Sequence, residues 1–399
     1  MGNNIPQGYK ATALGIIPQE WEVMRLGDIV SITSGESPSL YHLKAEGKYP
    51  YVKVEDLNNC EKYQESSREY SDDNNTTIKA GSIIFPKRGA SILNNKVRIA
   101  AKDIQMDSNM MAITPHTTIV DTEFLYIRIL HERLYRIADT SSIPQINNKH
   151  IIPYKIAVPP LAEQRKIAEV LGVWDEAIEK QARLIEKLAL RKRALMQRLL
   201  SAKLRLPGFS EPWKIHKLQE LFTERNETNR TDLPLLSITG DRGVILQTES
   251  EKRDTSNDDK SKYKRIAKGD IGYNTMRMWQ GRSALSGLEG IVSPAYTIVV
   301  PNTDVDGYYM SVLFKHPRLI YDFWTHSQGL VGDTLNCKYR DFGQVHICCP
   351  PLAEQKAITE VLTAADREIE LAKEKLERLR RQKRGLMQQL LTGKKRMKY

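Results

Sequence analysis

Two stretches of this chain repeat one another, and together they dictate much of what it can fold into. Pro159-Pro160-Leu161-Ala162-Glu163-Gln164 recurs as Pro350-Pro351-Leu352-Ala353-Glu354-Gln355, 191 residues later, and each opens about forty residues with no internal proline. About half of the aligned positions are identical between the copies. In the first copy a seam runs through Ile167, Leu171, Trp174, Ile178, Gln181, Ile185, Leu188, Lys192, Leu195 and Leu199. In the second it runs through Ile358, Leu362, Ala365, Ile369, Ala372, Leu376, Leu379, Lys383, Leu386 and Leu390. Alternating steps of four and three are the spacing of a coiled coil.

Both starts tolerate proline because the first turn has no intrahelical use for its N–H, and Glu163 or Glu354 complements the positive end of the macrodipole. Cations gather toward the other end, at Arg191-Lys192-Arg193 and Arg380-Arg381-Gln382-Lys383-Arg384. Pro207-Gly208 and Gly393 are the expected breaks. Forty helical residues make a rod of roughly 60 Å, far longer than an ordinary globular helix. A seam cannot bury itself, so the two rods are expected to pair with each other, antiparallel, with a pseudo-two-fold relation between the halves of the chain. Lys192 and Lys383 interrupt the seam at equivalent places, where they either fix register or snorkel at its edge.

The 399 residues leave room for two or three domains. A net charge of +11 favours a polyanionic partner, nucleic acid first. Cys60, Cys337, Cys348 and Cys349 have neither metal-binding nor disulfide-framework spacing, which points to reduced thiols and a cytoplasmic protein. The polar opening Met1 to Lys10 and the absence of any long apolar run predict neither a secretory signal nor a membrane span.

The halves run in parallel outside the rods as well. Trp21 in the first and Trp213 in the second begin an opening strand or turn and are read as packing residues. Tyr49 to Leu57 matches Leu233 to Gly240, Lys79 to Phe85 matches Ala267 to Tyr273, and Asn109 to Thr114 matches Ala295 to Val300, each pair a strand. Short helices are expected from Glu123 to Ala138 and from Tyr308 to Lys315. Residues 241 to 265, including Glu249, Glu251, Lys252, Arg253, Asp254, Asp258, Asp259 and Lys260, have no counterpart in the first half. The framework is shared and the detail is not.

The repeated opening motif, the Leu-Met-Gln-x-Leu-Leu at 195 to 200 and 386 to 391, and the dissimilar stretches between them resemble the specificity subunit of type I restriction-modification systems, over essentially the whole chain. The resemblance implies an α+β fold: two mixed α/β target-recognition domains, 1–158 and 205–349, alternating with two long helical spacers, 159–204 and 350–399. It implies that each domain reads one half of an interrupted, asymmetric double-stranded DNA site. The paired helices would set the spacing and dock two methyltransferase subunits, with motor-nuclease subunits joining the complex in the bacterial or archaeal cytoplasm. S-adenosylmethionine, ATP and Mg would belong to those partners, with no cofactor, catalytic residue or metal in this chain.

The residues agree with a non-catalytic role. There is no G-x-x-x-x-G-K-[ST] phosphate loop and no H-E-x-x-H, and neither Pro-Pro pair is preceded by Asn or Asp or followed by an aromatic residue. Asp72-Asp73 and Asp258-Asp259 sit in turn-like polar stretches of the kind that solvated loops carry.

Candidate DNA contacts are polar and basic residues at strand ends: Lys53, Lys87, Arg88, Asn94, Asn95, Lys96 and Arg98 in the first domain, beside the permissive Gly89, and Ser237, Thr239, Arg242, Asn274, Arg277, Gln280 and Arg282 in the second. Arg and Lys suit guanine, Asn and Gln suit adenine. Gln145, Asn147, Asn148 and Lys149, loosely matched by Asn336, Lys338 and Arg340, form a second tier. Partner docking is expected on the rod faces away from the seam and at Leu161, Glu163, Gln164, Leu352, Glu354 and Gln355, with a helix-capping role alone as the equal alternative for the two glutamates. A coiled-coil protein scaffold is the alternative function, without salt-sensitive DNA affinity. An RNA adaptor is less favoured, since 7% aromatics leaves little for stacking platforms.

Overall fold

The computed structural model describes residues 5–140, 143–240, 242–250, 256–329 and 334–398. Two compact units make up the chain: residues 1–182 with 374–399, and residues 183–373. Each contains one globular domain and a section of both long helices, Leu161–Leu199 and Leu352–Leu391.

In the first unit, a five-stranded sheet runs in the order Val30–Ser34, Met110–Pro115, Ile83–Pro86, Arg98–Ala100 and Tyr63–Gln64. All pairings are antiparallel except the last, with Met111 opposite both Ser34 and Phe85. Tyr49–Val52 pairs alongside with Gln105–Met106 and Tyr70–Ser71. The strands read as apolar runs because both faces are covered: Ile83, Phe85 and Ile113 pack toward one core, Ile84, Ala112 and Met106 toward another.

The second unit repeats the central part: Phe222–Glu224, Tyr296–Pro301, Ile271–Asn274 and Ser283–Leu285, all antiparallel. Two hairpin-like pairs flank it, Leu236–Thr239 with Gly243–Leu246 and Lys264–Ile266 with Gly290–Val292. The expected helix at 308–315 is found as Gly307–Leu313, and a second helix, Pro317–His326, follows directly. Pro317 occupies the first turn, where the residue that breaks a helix interior can start one. In the first unit the helical stretch is Thr122–Glu132, started by Asp121 accepting from Phe124 N–H, and then Leu134–Ile137.

Both Pro-Pro motifs follow a strand that closes a two-stranded sheet at the domain root. Lys155–Val158 pairs with Glu22–Arg25, and His346–Cys349 pairs with Lys214–Lys217. Among the cysteines, Cys337 and Cys349 are buried, Cys60 is half-buried and Cys348 is exposed; all four are free thiols.

Every one of the twenty seam positions named from the sequence is buried or half-buried. In the first unit, Lys383 pairs with Asp175 while Leu390 and Leu391 join Ile167 and Leu171 in one core, so the helix sections run antiparallel. In the second, Lys192 pairs with Asp366 and Arg191 with Glu368, while Leu199 and Leu200 share a core with Ile358 and Leu362, again antiparallel. The seam lysines therefore make cross-helix ion pairs, the same one in each unit, rather than merely snorkelling.

The helix ends depart from expectation on one side. Gly393 ends the second helix in the left-handed region at φ 71°, as anticipated. The first helix ends at Leu199, well before Pro207-Gly208, and the residue equivalent to Gly393 is Ala202, held at φ 57°.

Candidate nucleic-acid interface

The motif residues expected to meet partners hold each domain to its helices. Glu163 and Gln164 are fully buried, and Glu354 and Gln355 are only 1% and 2% exposed. The Arg396 guanidinium donates to both Glu163 carboxylate oxygens, at 2.8 and 2.9 Å, and the Trp21 indole donates to one of them at 3.0 Å. In the other unit Arg205 donates to both oxygens of Glu354, at 2.6 and 2.8 Å, and Trp213 donates at 3.2 Å. The two glutamines do matching work. Gln164 accepts from Asp121 N–H and donates to the Pro159 and Ile119 carbonyls; Gln355 accepts from Asp306 N–H and donates to the Pro350 carbonyl. As folded, these four side chains offer no free surface, while Leu161 and Leu352 are half-buried on the same turns. A buried carboxylate is tolerable only with such partners, and a bidentate arginine is the strongest available.

In the second unit, six of the seven candidate DNA contacts meet in one open cleft of about 840 Å³. Thr239, Arg242, Asn274, Arg277, Gln280 and Arg282 line it with Tyr296, Lys315, Ile320 and neighbours. Among the described residues, four cations and no carboxylate line this space, and Arg242 also pairs with Glu249 at 3.8 Å. Two devices shape it. The turn Met278–Gln280 after the central strand presents Gln280 and, through Gly281 at φ 70°, Arg282; Ile320 on the following helix packs against Gly281. On the facing hairpin, the Thr239 hydroxyl accepts from Arg242 N–H at 3.1 Å and donates to the Gly243 carbonyl. Arg242 also donates to the Glu249 carbonyl, which steers it. Arg277 and Arg282 are exposed, with no side-chain partner among the described residues. Burial holds the Tyr296 phenol above its usual range, and a hydrogen bond to Asn274 partly offsets this. Ser237 is half-buried on the hairpin strand and is not part of the lining.

A second concavity of about 550 Å³ lies on the other side of the same strand end, lined by Thr275, Met276, Lys264, Asn336, Lys338 and Arg340 among others. The second-tier residues of this half thus sit together too. Of the unmatched insertion, Glu251 to Asp254 lie outside the described residues.

The first unit treats its candidates differently. Arg98 donates to three backbone carbonyls, of Cys60, Val97 and Leu57, at 2.7 to 2.8 Å. Asn95 spends its amide on the Leu130 carbonyl and the Leu134 N–H, tying the two short helices at their junction. Lys53 pairs with Glu69 and lies over the Tyr51 ring. These three are bound up in the domain's own architecture. Lys87 is half-buried, and burial, partly offset by Asp107, pushes its amine below the ordinary value. Arg88 and Asn94 are exposed and Lys96 half-buried, with no side-chain partner among the described residues. Gln145 bridges to Arg88 through the backbone, Asn147 starts the turn Asn148–Ile151, and Asn147 to Lys149 are exposed. Asp72 and Asp73 accept from the Lys48 and His42 backbones, the work of a loop staple.

What sequence reasoning missed is the architectural use of Arg98 and Asn95, and the companions Tyr296, Lys315 and Ile320 in the cleft. Only the φ-positive setting of Asn95, at 50°, had a local signature, since Asn tolerates that region.

Comparison with known proteins adds to the geometry. The sequence profile of a family described as "Type I restriction modification DNA specificity domain" matches residues 18–189. The specificity subunit of the type I restriction enzyme MjaVIII of Methanocaldococcus jannaschii is 24% identical, over 96% of this chain and 94% of that one. A putative MjaX specificity subunit of the same organism is 26% identical, over 98% and 97%. Among solved structures, the S subunit of a type I restriction-modification system from M. genitalium superposes with a TM-score of 0.53 at 16% identity, covering 98% of this chain and 97% of that one. A chain from a structure of type I R-M complex assembly and conformational transition gives 0.62 at 17%, covering 94% and 99%. These structural likenesses establish the fold.

Proposed function

We propose that this chain, similar over nearly its whole length to type I restriction enzyme specificity subunits, is such a subunit: it reads a bipartite DNA site through its two domains and docks methyltransferase subunits on its long helices. The observation that carries this reading is the cleft of the second unit, where among the described residues four cations and no carboxylate surround amide and hydroxyl groups able to address base edges. Cations there neutralise phosphates and set position; Gln280 and the arginines supply the bidentate groups that distinguish adenine and guanine, while Asn274, whose amide oxygen accepts from Met276 N–H at 3.0 Å, shapes the loop. In the first domain the same task falls to Arg88, Asn94 and Lys96, with Lys87 and Gln145 beside them, since these side chains make no side-chain hydrogen bond or ion pair among the described residues.

The chain supplies the address, and its partners supply the chemistry on adenine. Docking uses the helix surfaces away from the seam, where Val173, Leu184, Leu190 and Leu371 are exposed apolar residues on otherwise charged faces. Residues 1–158 and 205–349 are the exchangeable reading modules. The working compartment is the cytoplasm of a bacterium or archaeon, where the DNA is.

Mapping methylated adenines genome-wide in cells with and without this chain tests the reading directly. A two-part motif that appears only with the chain supports it, and replacing 205–349 by the corresponding segment of a relative should change one part of the motif alone. DNA affinity of the assembled methyltransferase should fall steeply as salt rises. Binding indifferent to salt, or no chain-dependent methylation, would return the protein to a scaffold role.

A further inference from the structure

The loops that follow the central strand of each sheet are built on the same backbone hydrogen bonds. In the first unit Lys87 N–H donates to the Asn109 carbonyl, and the Lys87 carbonyl accepts from Ile146 N–H, both at 2.8 Å. In the second, Thr275 N–H donates to the Ala295 carbonyl at 3.1 Å, and the Thr275 carbonyl accepts from Cys337 N–H at 2.9 Å. The strands before them agree, with Pro86 opposite Met110 and Asn274 opposite Tyr296. The next residue is therefore structurally equivalent in the two domains: Arg88 in one, Met276 in the other.

Each is the outward point of its loop. Arg88 is exposed with no side-chain partner among the described residues. Met276 is 47% exposed and stands between the cationic cleft that its neighbours Asn274 and Arg277 line and the second concavity that it lines with Thr275, Lys338 and Arg340. An exposed thioether between the cationic cleft and a concavity that holds Lys338 and Arg340 beside the Lys264–Glu224 ion pair has little to gain from water and lies among groups that attract phosphates. Internal packing does not account for it either, since Met276 belongs to neither core of its unit.

Resting on the DNA-reading function above, we infer that this shared position reads one base pair in each half-site with opposite chemistry: Arg88 takes the O6 and N7 acceptors of a guanine, and Met276 packs on the 5-methyl group of a thymine. In the major groove these are the two features that a guanidinium and an apolar side chain can each distinguish. Met is suited to the second because its flexible, polarisable chain fits a methyl group without demanding one rotamer. The position is thus a switch point whose residue type sets which base pair each domain accepts.

The test uses the assembled methyltransferase on duplexes carrying the mapped site. Deoxyuridine is substituted for each thymine in turn, which removes only the 5-methyl group. Wild-type complex should lose about fourfold in affinity at a single thymine, the worth of one buried methyl, and Met276→Ala complex should show no loss there. Arg88→Ala should relax the requirement for one guanine in the opposite half-site, with affinity for the original sequence falling by about tenfold or more. Met276→Arg should replace the thymine preference with a guanine preference. A site with no thymine in the half read by the second domain, deoxyuridine indifference in the wild type, or a Met276→Ala complex that weakens yet keeps its sensitivity to the methyl group would each overturn the inference. Arg277→Ala separates the two levels: if it too leaves DNA binding intact, the cleft is not the reading site at all.

Discussion

The joints between domain and helices are nearly the same in the two units, whereas their exposed faces share little. At the joint, Glu163, Arg396 and Trp21 reappear as Glu354, Arg205 and Trp213 with the same donors on the same acceptor. At the face, the second unit gathers six candidate side chains around one cationic cleft, and the first folds Arg98 and Asn95 into its own scaffold. Duplication preserved what carries mechanical load, because a buried carboxylate without its arginine is costly. It left the loop tips free to diverge, because a solvated side chain there costs almost nothing to change.

The largest test of that contrast is at the joints. Arg205→Ala and Arg396→Ala each leave a buried carboxylate with too few donors, and each should destabilise its unit by about 3–5 kcal/mol, read as a loss of melting temperature or of hydrogen-exchange protection in that unit. Clearly unequal losses would mean that the repeated geometry hides different energetics. At the faces the outcome should be unequal: Arg277→Ala should cost about 1–3 kcal/mol in specific DNA binding with an unchanged melting temperature. Asn95→Ala should leave binding alone and cost about 1–3 kcal/mol of stability by orphaning the Leu130 carbonyl and the Leu134 N–H.

The helix ends offer a smaller test. Ala202 holds the left-handed conformation that Gly393 holds in the other copy, so Ala202→Gly should stabilise the chain by about 1 kcal/mol. Gly393→Ala should destabilise by more than that, since an added Cβ would fall 2.3 Å from Pro18. The smallest effect is expected at the seam, where Lys192→Met and Lys383→Met should each change stability by less than about 1 kcal/mol, the partly exposed ion pairs being offset by better apolar packing. If either variant alters the oligomeric state or proteolytic pattern instead, the pairs specify register.

Much of this architecture was legible beforehand. The seam register, the central strands and the tryptophans at the domain roots follow from periodicity and apolar runs, which are local properties of the chain. The helix Pro317–His326 escaped because its proline reads as a break in one dimension and is a first-turn residue in three. The candidate site was legible only in part. Residue type and strand-end position singled out Arg277 and Arg98 alike, and nothing nearby in sequence says that Arg98 will find the Leu57 carbonyl 41 residues away.

By itself, the sequence determined that two long seamed helices exist, where they begin, and that unlike domains alternate with them, because an i, i+3, i+4 pattern and a repeated opening motif need no knowledge of distant contacts. Tertiary structure alone decided that the most conspicuous motif, Glu-Gln after Pro-Pro, turns inward. Its carboxylates meet arginines 149 and 233 residues away, and whether a charged side chain faces solvent or core depends on which partner the rest of the chain brings to it.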